Sequence, residues 1–127
     1  MASLDKRIIL DLMKWLAANT PVASVRDRMP HIVTDDQYPF ITVNRLNASD
    51  TTNVIRHLDI TINIITDNSS EDEVLELGDT LTDTLDEWYQ QCDWNIMGSP
   101  LLNNVTDDSG KDGRIKATYD YQLDYII

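Results

Sequence analysis

Residues 57–92 read "HLDITINIITDNSSEDEVLELGDTLTDTLDEWYQQC", and this stretch decides the fold. In its first part Leu58, Ile60, Ile62 and Ile64 alternate with Asp59, Thr61 and Asn63. A period of two means a strand with one buried and one polar face. Beyond "DNSS" the period becomes helical. Val74, Leu77, Leu81, Leu85, Trp88 and Cys92 form one apolar stripe, with Glu76, Asp79, Asp83 and Glu87 on the far side. Ser70 stands three residues before Glu73, the spacing of a capping box. Glu71, Asp72 and Glu73 fill the first turn, where the helix dipole favours negative charge. Gly78, inside this helix, costs about 1 kcal/mol relative to Ala and points to close packing against a neighbour.

The flanking chain supplies the rest of a sheet. Leu4, Ile8, Leu12, Trp15 and Leu16 recur at helical spacing, so residues 4 to about 18 read as a core-packing helix with Ser3 as N-cap, ended by Asn19, Thr20 and Pro21. Val22 and Val25 mark a short strand, and "YPFITVNRL" marks another, with Pro39 near its start where a missing N–H is tolerated. "NASDTTN" reads as a polar turn region. "DWNIMGSPLLNNV" reads as an irregular or edge strand, given Gly98 and Pro100, and "TDDSGKDG" as a turn-rich loop. In "RIKATYDYQLDYII", Ile115, Ala117, Tyr119, Tyr121, Leu123 and Tyr125 alternate with polar residues, a long amphipathic strand that closes a hairpin with the segment before it. The expected architecture is one α+β domain over residues 1–127, a mixed or mainly antiparallel sheet with two helices packed on one face.

Composition limits function. Twenty-two acidic residues against ten basic ones give a formal net charge of −12. That argues against binding to nucleic-acid phosphates or an anionic membrane, both of which need clustered Lys and Arg. No apolar run approaches the roughly 20 residues of a membrane span, and the charged start "MASLDKRIILDLMKWL" is not a signal peptide. Cys92 alone cannot form an internal disulfide and reads as a buried or half-buried thiol.

Chemistry is sparse. His31 and His57 read as ordinary polar residues. "DDSGKDG" fails as a calcium loop: counted from Asp108, Gly110 falls at the third position and Tyr119 where a bidentate Glu is required; counted from Asp107, Lys111 falls at a ligand position. No catalytic residue, metal site or cofactor site is expected. What remains is surface: the polar strand face at Asp59, Thr61 and Asn63; the tyrosines Tyr119, Tyr121 and Tyr125, unless that face is the core side; and the loops at 47–53 and 106–113. In the second loop Asp107, Asp108, Lys111 and Asp112 are the candidate partner-contact residues.

The order of parts carries a likeness: "SVRDRMP", a loop, "YPFITV", a polar gap, "HLDITINIIT", a Ser/Glu junction, then "EVLELGDTLTDTL". This resembles the tail terminator, or tail completion, proteins of long-tailed bacteriophages. The matching positions are Val25, Asp27 and Pro30, then Tyr38, Pro39, Phe40 and Ile41, and the likeness spans about residues 4 to 92. Where that family often has an aromatic after the valine, this chain has Arg26. The resemblance implies a structural virion protein with no reaction. It would form a ring, usually of six copies, on the head-proximal end of the tail tube, stop tube growth, and present a surface to the head connector. DNA would pass through the lumen without specific binding, which suits an acidic subunit. Two alternatives remain open: another head–tail connector (neck) protein of the same virion, or a small acidic host-directed inhibitor or DNA mimic.

Overall fold

The computed structural model describes residues 4–27, 38–66, 71–109 and 115–127. The elements run α1 (Leu4–Asn19), β1 (Ser24–Arg26), β2 (Phe40–Asp50), β3 (Ile55–Thr66), α2 (Glu71–Gln91), β4 (Ile96–Ser109) and β5 (Ile115–Ile126). The five strands form one sheet in the order β1-β2-β3-β5-β4. β1 pairs with β2 in parallel, and every other pairing is antiparallel. This is the expected α+β arrangement, with the β3–α2 unit at its centre.

Both helices lie on the same face of the sheet. Leu58, Ile60, Ile62 and Ile64 of β3 are fully buried there, beneath Ile8, Leu12 and Leu16 of α1 and Leu81, Leu85 and Trp88 of α2. The helices are tied through indole N–H groups: Trp15 Nε1 donates to the Thr84 carbonyl at 3.0 Å, and Trp88 Nε1 donates to Asp11 Oδ2 at 3.2 Å. Tyr121 and Tyr125 are buried and Tyr119 is half-buried beneath α2. The tyrosine face is therefore the core side and not a partner surface. It closes the core because α2 needs large apolar bodies opposite its stripe.

Gly78 packs as expected. A Cβ built on it would stand 2.3 Å from the Tyr119 hydroxyl oxygen, so the absence of a side chain lets α2 settle on β5.

Two strands are longer than expected. β2 continues through Asn47, Ala48, Ser49 and Asp50, which pair with Asp59, Leu58, His57 and Arg56. Leu46 is bulged out, which shifts the register by one. β4 continues through Thr106, Asp107, Asp108 and Ser109, paired with Thr118, Ala117, Lys116 and Ile115. In both places a long neighbour supplies a main-chain partner, and the ladder overrides the turn preference of Asn, Asp and Ser. β4 is interrupted between Met97 and Leu101, where Gly98 has φ of 64°. The proposed caps Ser3 and Ser70 lie outside the described residues.

Candidate functional site

The expected contact residues separate. Asp107 and Asp108 sit on the backbone of β4, opposite Ala117 and Lys116, and not in a loop. Lys111, Asp112 and His31 lie outside the described residues.

One cluster is built around Asp5, in the first turn of α1, which is 2% exposed. Arg56 Nε and Nη2 donate to it at 3.0 and 2.9 Å, Arg45 Nη1 lies 3.3 Å away, and the Tyr125 hydroxyl donates a short hydrogen bond. Arg56 also pairs with Asp50 at 2.9 Å. Burial alone would raise the Asp5 carboxyl. The hydrogen bonds from Arg56 and Tyr125, the Arg56 charge and Arg45 outweigh it and hold the group below the usual carboxylate range. The ion pair and the Asp5 hydrogen bond likewise hold the Arg56 guanidinium charged. These residues fasten the start of α1 to β2, β3 and β5. With the Asp5 carboxylate taken up by Arg56, Arg45 and Tyr125, the cluster serves to anchor the helix.

The open face of the sheet, opposite the helices, is different. Paired residues share a face, so His57, Asp59, Thr61 and Asn63 of β3 stand beside Asp124, Gln122, Asp120 and Thr118 of β5. All eight are half-buried. Thr118 Oγ1 donates to Asn63 Oδ1 at 2.8 Å, and Asn63 Nδ2 donates to Thr42 Oγ1 at 3.0 Å. His57 Nδ1 lies 2.7 Å from Asp124 Oδ1, an ion pair when the ring is protonated. Gln122 Nε2 donates to Asp120 Oδ2 at 2.8 Å.

Asp59 Oδ1 and Asp120 Oδ1 are both shielded from solvent and have no donor among the described residues. They are diagonal neighbours across β3 and β5, and one proton held between them satisfies both. Burial first, then the hydrogen bond and charge of Asp120, push Asp59 up to about 6, against a small opposing effect of His57. Two carboxyls sharing a proton can do acid–base chemistry, but only with a bound substrate. This pair lies on a sheet face and lines neither of two concavities that border the helices. One of these, about 390 Å³, lies between α1 and β2 and is lined by Lys6, Ile9, Leu10, Met13, Asp27 and Arg45 among others. The other, about 140 Å³, runs between α2 and β4 along Thr82, Asp86, Tyr89, Pro100 and Leu102.

Other chemistry is absent among the described residues. No three His, Cys, Asp or Glu side chains are grouped to hold a metal ion, and no helix is long and apolar enough to cross a membrane. Cys92 is half-buried, and burial pushes its thiol up, which makes it a poor nucleophile.

The two edges of the sheet are β1 and β4. Exposed apolar residues gather where β4 begins: Met97 and Leu101 on β4, Ile126 and Ile127 at the end of β5, and Val54 before β3. Ile127 N–H donates to the Val54 carbonyl and Ile126 N–H to the Asn95 carbonyl, which brings these residues to one corner. Sequence reading missed this corner because its members come from three separate segments.

No protein-family model matches the chain, and no curated protein matches it.

Proposed function

We propose that this protein is a phage tail terminator: a ring-forming virion subunit that caps the head-proximal end of the tail tube, halts tube growth and presents the surface that joins the head connector. The observation that carries this reading is the pair of sheet edges left unpaired among the described residues, beside concavities that hold no catalytic grouping. β4 is fourteen residues long, is paired on one side only among the described residues, and begins beside an exposed apolar corner. A long free edge invites aggregation unless something covers it, and a neighbouring copy in a closed ring does so. The motif order supports the same reading. Val25 lies in β1, Tyr38 and Pro39 lead into β2, and the Ser/Glu junction leads into α2. The open polar face, with Asp59, Asp120 and Asp124, suits a channel that DNA crosses without adhering.

The protein acts by contact and catalyses no reaction. Its partners are other copies of itself, the tail-tube protein and the head connector, and its place is the virion tail. Asp107 and Asp108 of β4, with Lys111 and Asp112 of the segment that follows it in the sequence, contribute to partner contact. Electron microscopy of purified protein mixed with tail-tube protein tests this. Density at one end of each tube is expected; bare tube ends at protein concentrations of hundreds of micromolar would contradict it.

A second reading has one observation in its favour. α2 carries eight acidic residues and no basic one, as a DNA mimic would. That reading requires a monomer or dimer that competes with DNA for a host protein.

A further inference from the structure

Charge is divided unequally between the two sides of the molecule. α1, β1 and β2 carry five basic residues (Lys6, Arg7, Lys14, Arg26 and Arg45) against three acidic ones. α2 and β4 carry ten acidic residues and no basic one. α1 packs over β1 and β2, and α2 over β3, β5 and β4, so the two groups lie toward opposite edges of the sheet.

Each side also presents a line of exposed residues. On α1, Lys6, Leu10 and Lys14 recur every fourth residue, and Lys6 and Leu10 border the concavity over β2. On α2, Leu75, Asp79, Thr82 and Asp86 follow one another at helical spacing on the flank toward β4, where Thr82 and Asp86 border the other concavity. Leu10 and Leu75 are 46% and 64% exposed, so each line also carries apolar area that a contact would cover. At 1.5 Å per residue, the two lysines stand roughly 12 Å apart and the two aspartates about 10 Å apart. One line is therefore a Lys–Leu–Lys pattern, and the other offers a leucine and two carboxylates at a matching separation.

We propose that copies of this protein associate head to tail, the α2–β4 flank of one copy docking against the α1–β1 flank of the next, with Asp79 and Asp86 facing Lys6 and Lys14. This rests on the ring-forming reading and adds which surfaces meet. The two surfaces differ and lie at opposite edges of one subunit. Such a contact is heterologous, and it closes into a ring when the rotation per copy divides a full turn. Charge complementarity sets its register, and the leucines supply desolvated area.

The test is a charge swap read by sedimentation velocity at low and high protein concentration. The first variant is Asp79→Lys/Asp86→Lys and the second is Lys6→Glu/Lys14→Glu. All four positions are exposed, and melting temperatures of both variants are compared with that of the wild type, so that a loss of folding is told apart from a loss of association. Each variant alone should self-associate at least about tenfold more weakly, and an equimolar mixture should recover the wild-type mass, since each supplies the edge the other lost. Global repulsion cannot produce this pattern. Each Asp→Lys change adds two charges, so the first variant moves from −12 to −8, which by itself would favour association. If the wild type associates and either variant does so equally well, or the mixture fails to recover, the assigned edges are wrong while the ring reading stands. A wild type that stays monomeric at every concentration and leaves tube ends bare overturns the ring reading and the edges together.

Discussion

At Asp59 a carboxyl is held where its charge is least welcome, and this has a measurable consequence for stability. Its folded value of about 6 lies above the ordinary 3.8, so between those values the folded protein holds a proton that the unfolded chain releases. Stability from this group is therefore present in acid and lost as pH rises through about 6. Asp5 works in the opposite sense. Its value is depressed, so its contribution is present at neutral pH and lost only as pH falls below the ordinary carboxylate range. Asp59→Asn should raise the melting temperature at pH 7.5, relative to the wild type, and remove the decline between pH 4.5 and 7. Thermal melts across that range check it; a variant that keeps the wild-type slope would show that Asp59 and Asp120 do not share a proton. Neither arrangement is legible in the sequence. Asp5 meets Arg45, Arg56 and Tyr125 across separations of 40, 51 and 120 residues, and in the sequence it is only one charge in the polar start of a helix.

At the scale of elements, the clearest periodicities are those whose pattern is enforced by a single buried face. β3, β5 and both helices alternate or recur because each has one apolar side, and the structure buries that side. The ends of β2 and β4 were hidden for the converse reason. "NASD" buries little, and neither it nor "TDDS" has an alternating apolar pattern of its own, so their strand character comes from the neighbouring ladder. Gly78 is the sharpest junction between elements. In a free helix Gly→Ala gains about 1 kcal/mol. Here the new methyl meets the Tyr119 hydroxyl, and Gly78→Ala should instead cost about 1–3 kcal/mol, the usual price of overpacking. In a Tyr119→Phe background, which removes the obstructing oxygen, the same change should cost clearly less. Chemical denaturation of the four proteins in this double-mutant cycle gives the answer; equal effects of Gly78→Ala in both backgrounds would mean that helix and strand are not in close contact there.

At the scale of the whole molecule, the sheet has one covered face, one open polar face and two unlike edges. In the proposed ring the edges would meet neighbouring copies and the polar face would line a channel or meet a partner. Candidate contacts were only partly legible in the sequence. The polar face of β3 was visible as alternation, whereas the apolar corner and the two charged flanks exist only once distant segments are brought together. The most direct measurement of the central claim is the length of tail tubes polymerised from purified tube protein with and without this protein. Tubes should stop growing at one end once about one ring of this protein is present per tube, with the protein found only at that end. Tubes that elongate unchanged, or that carry the protein along their whole length, would contradict it.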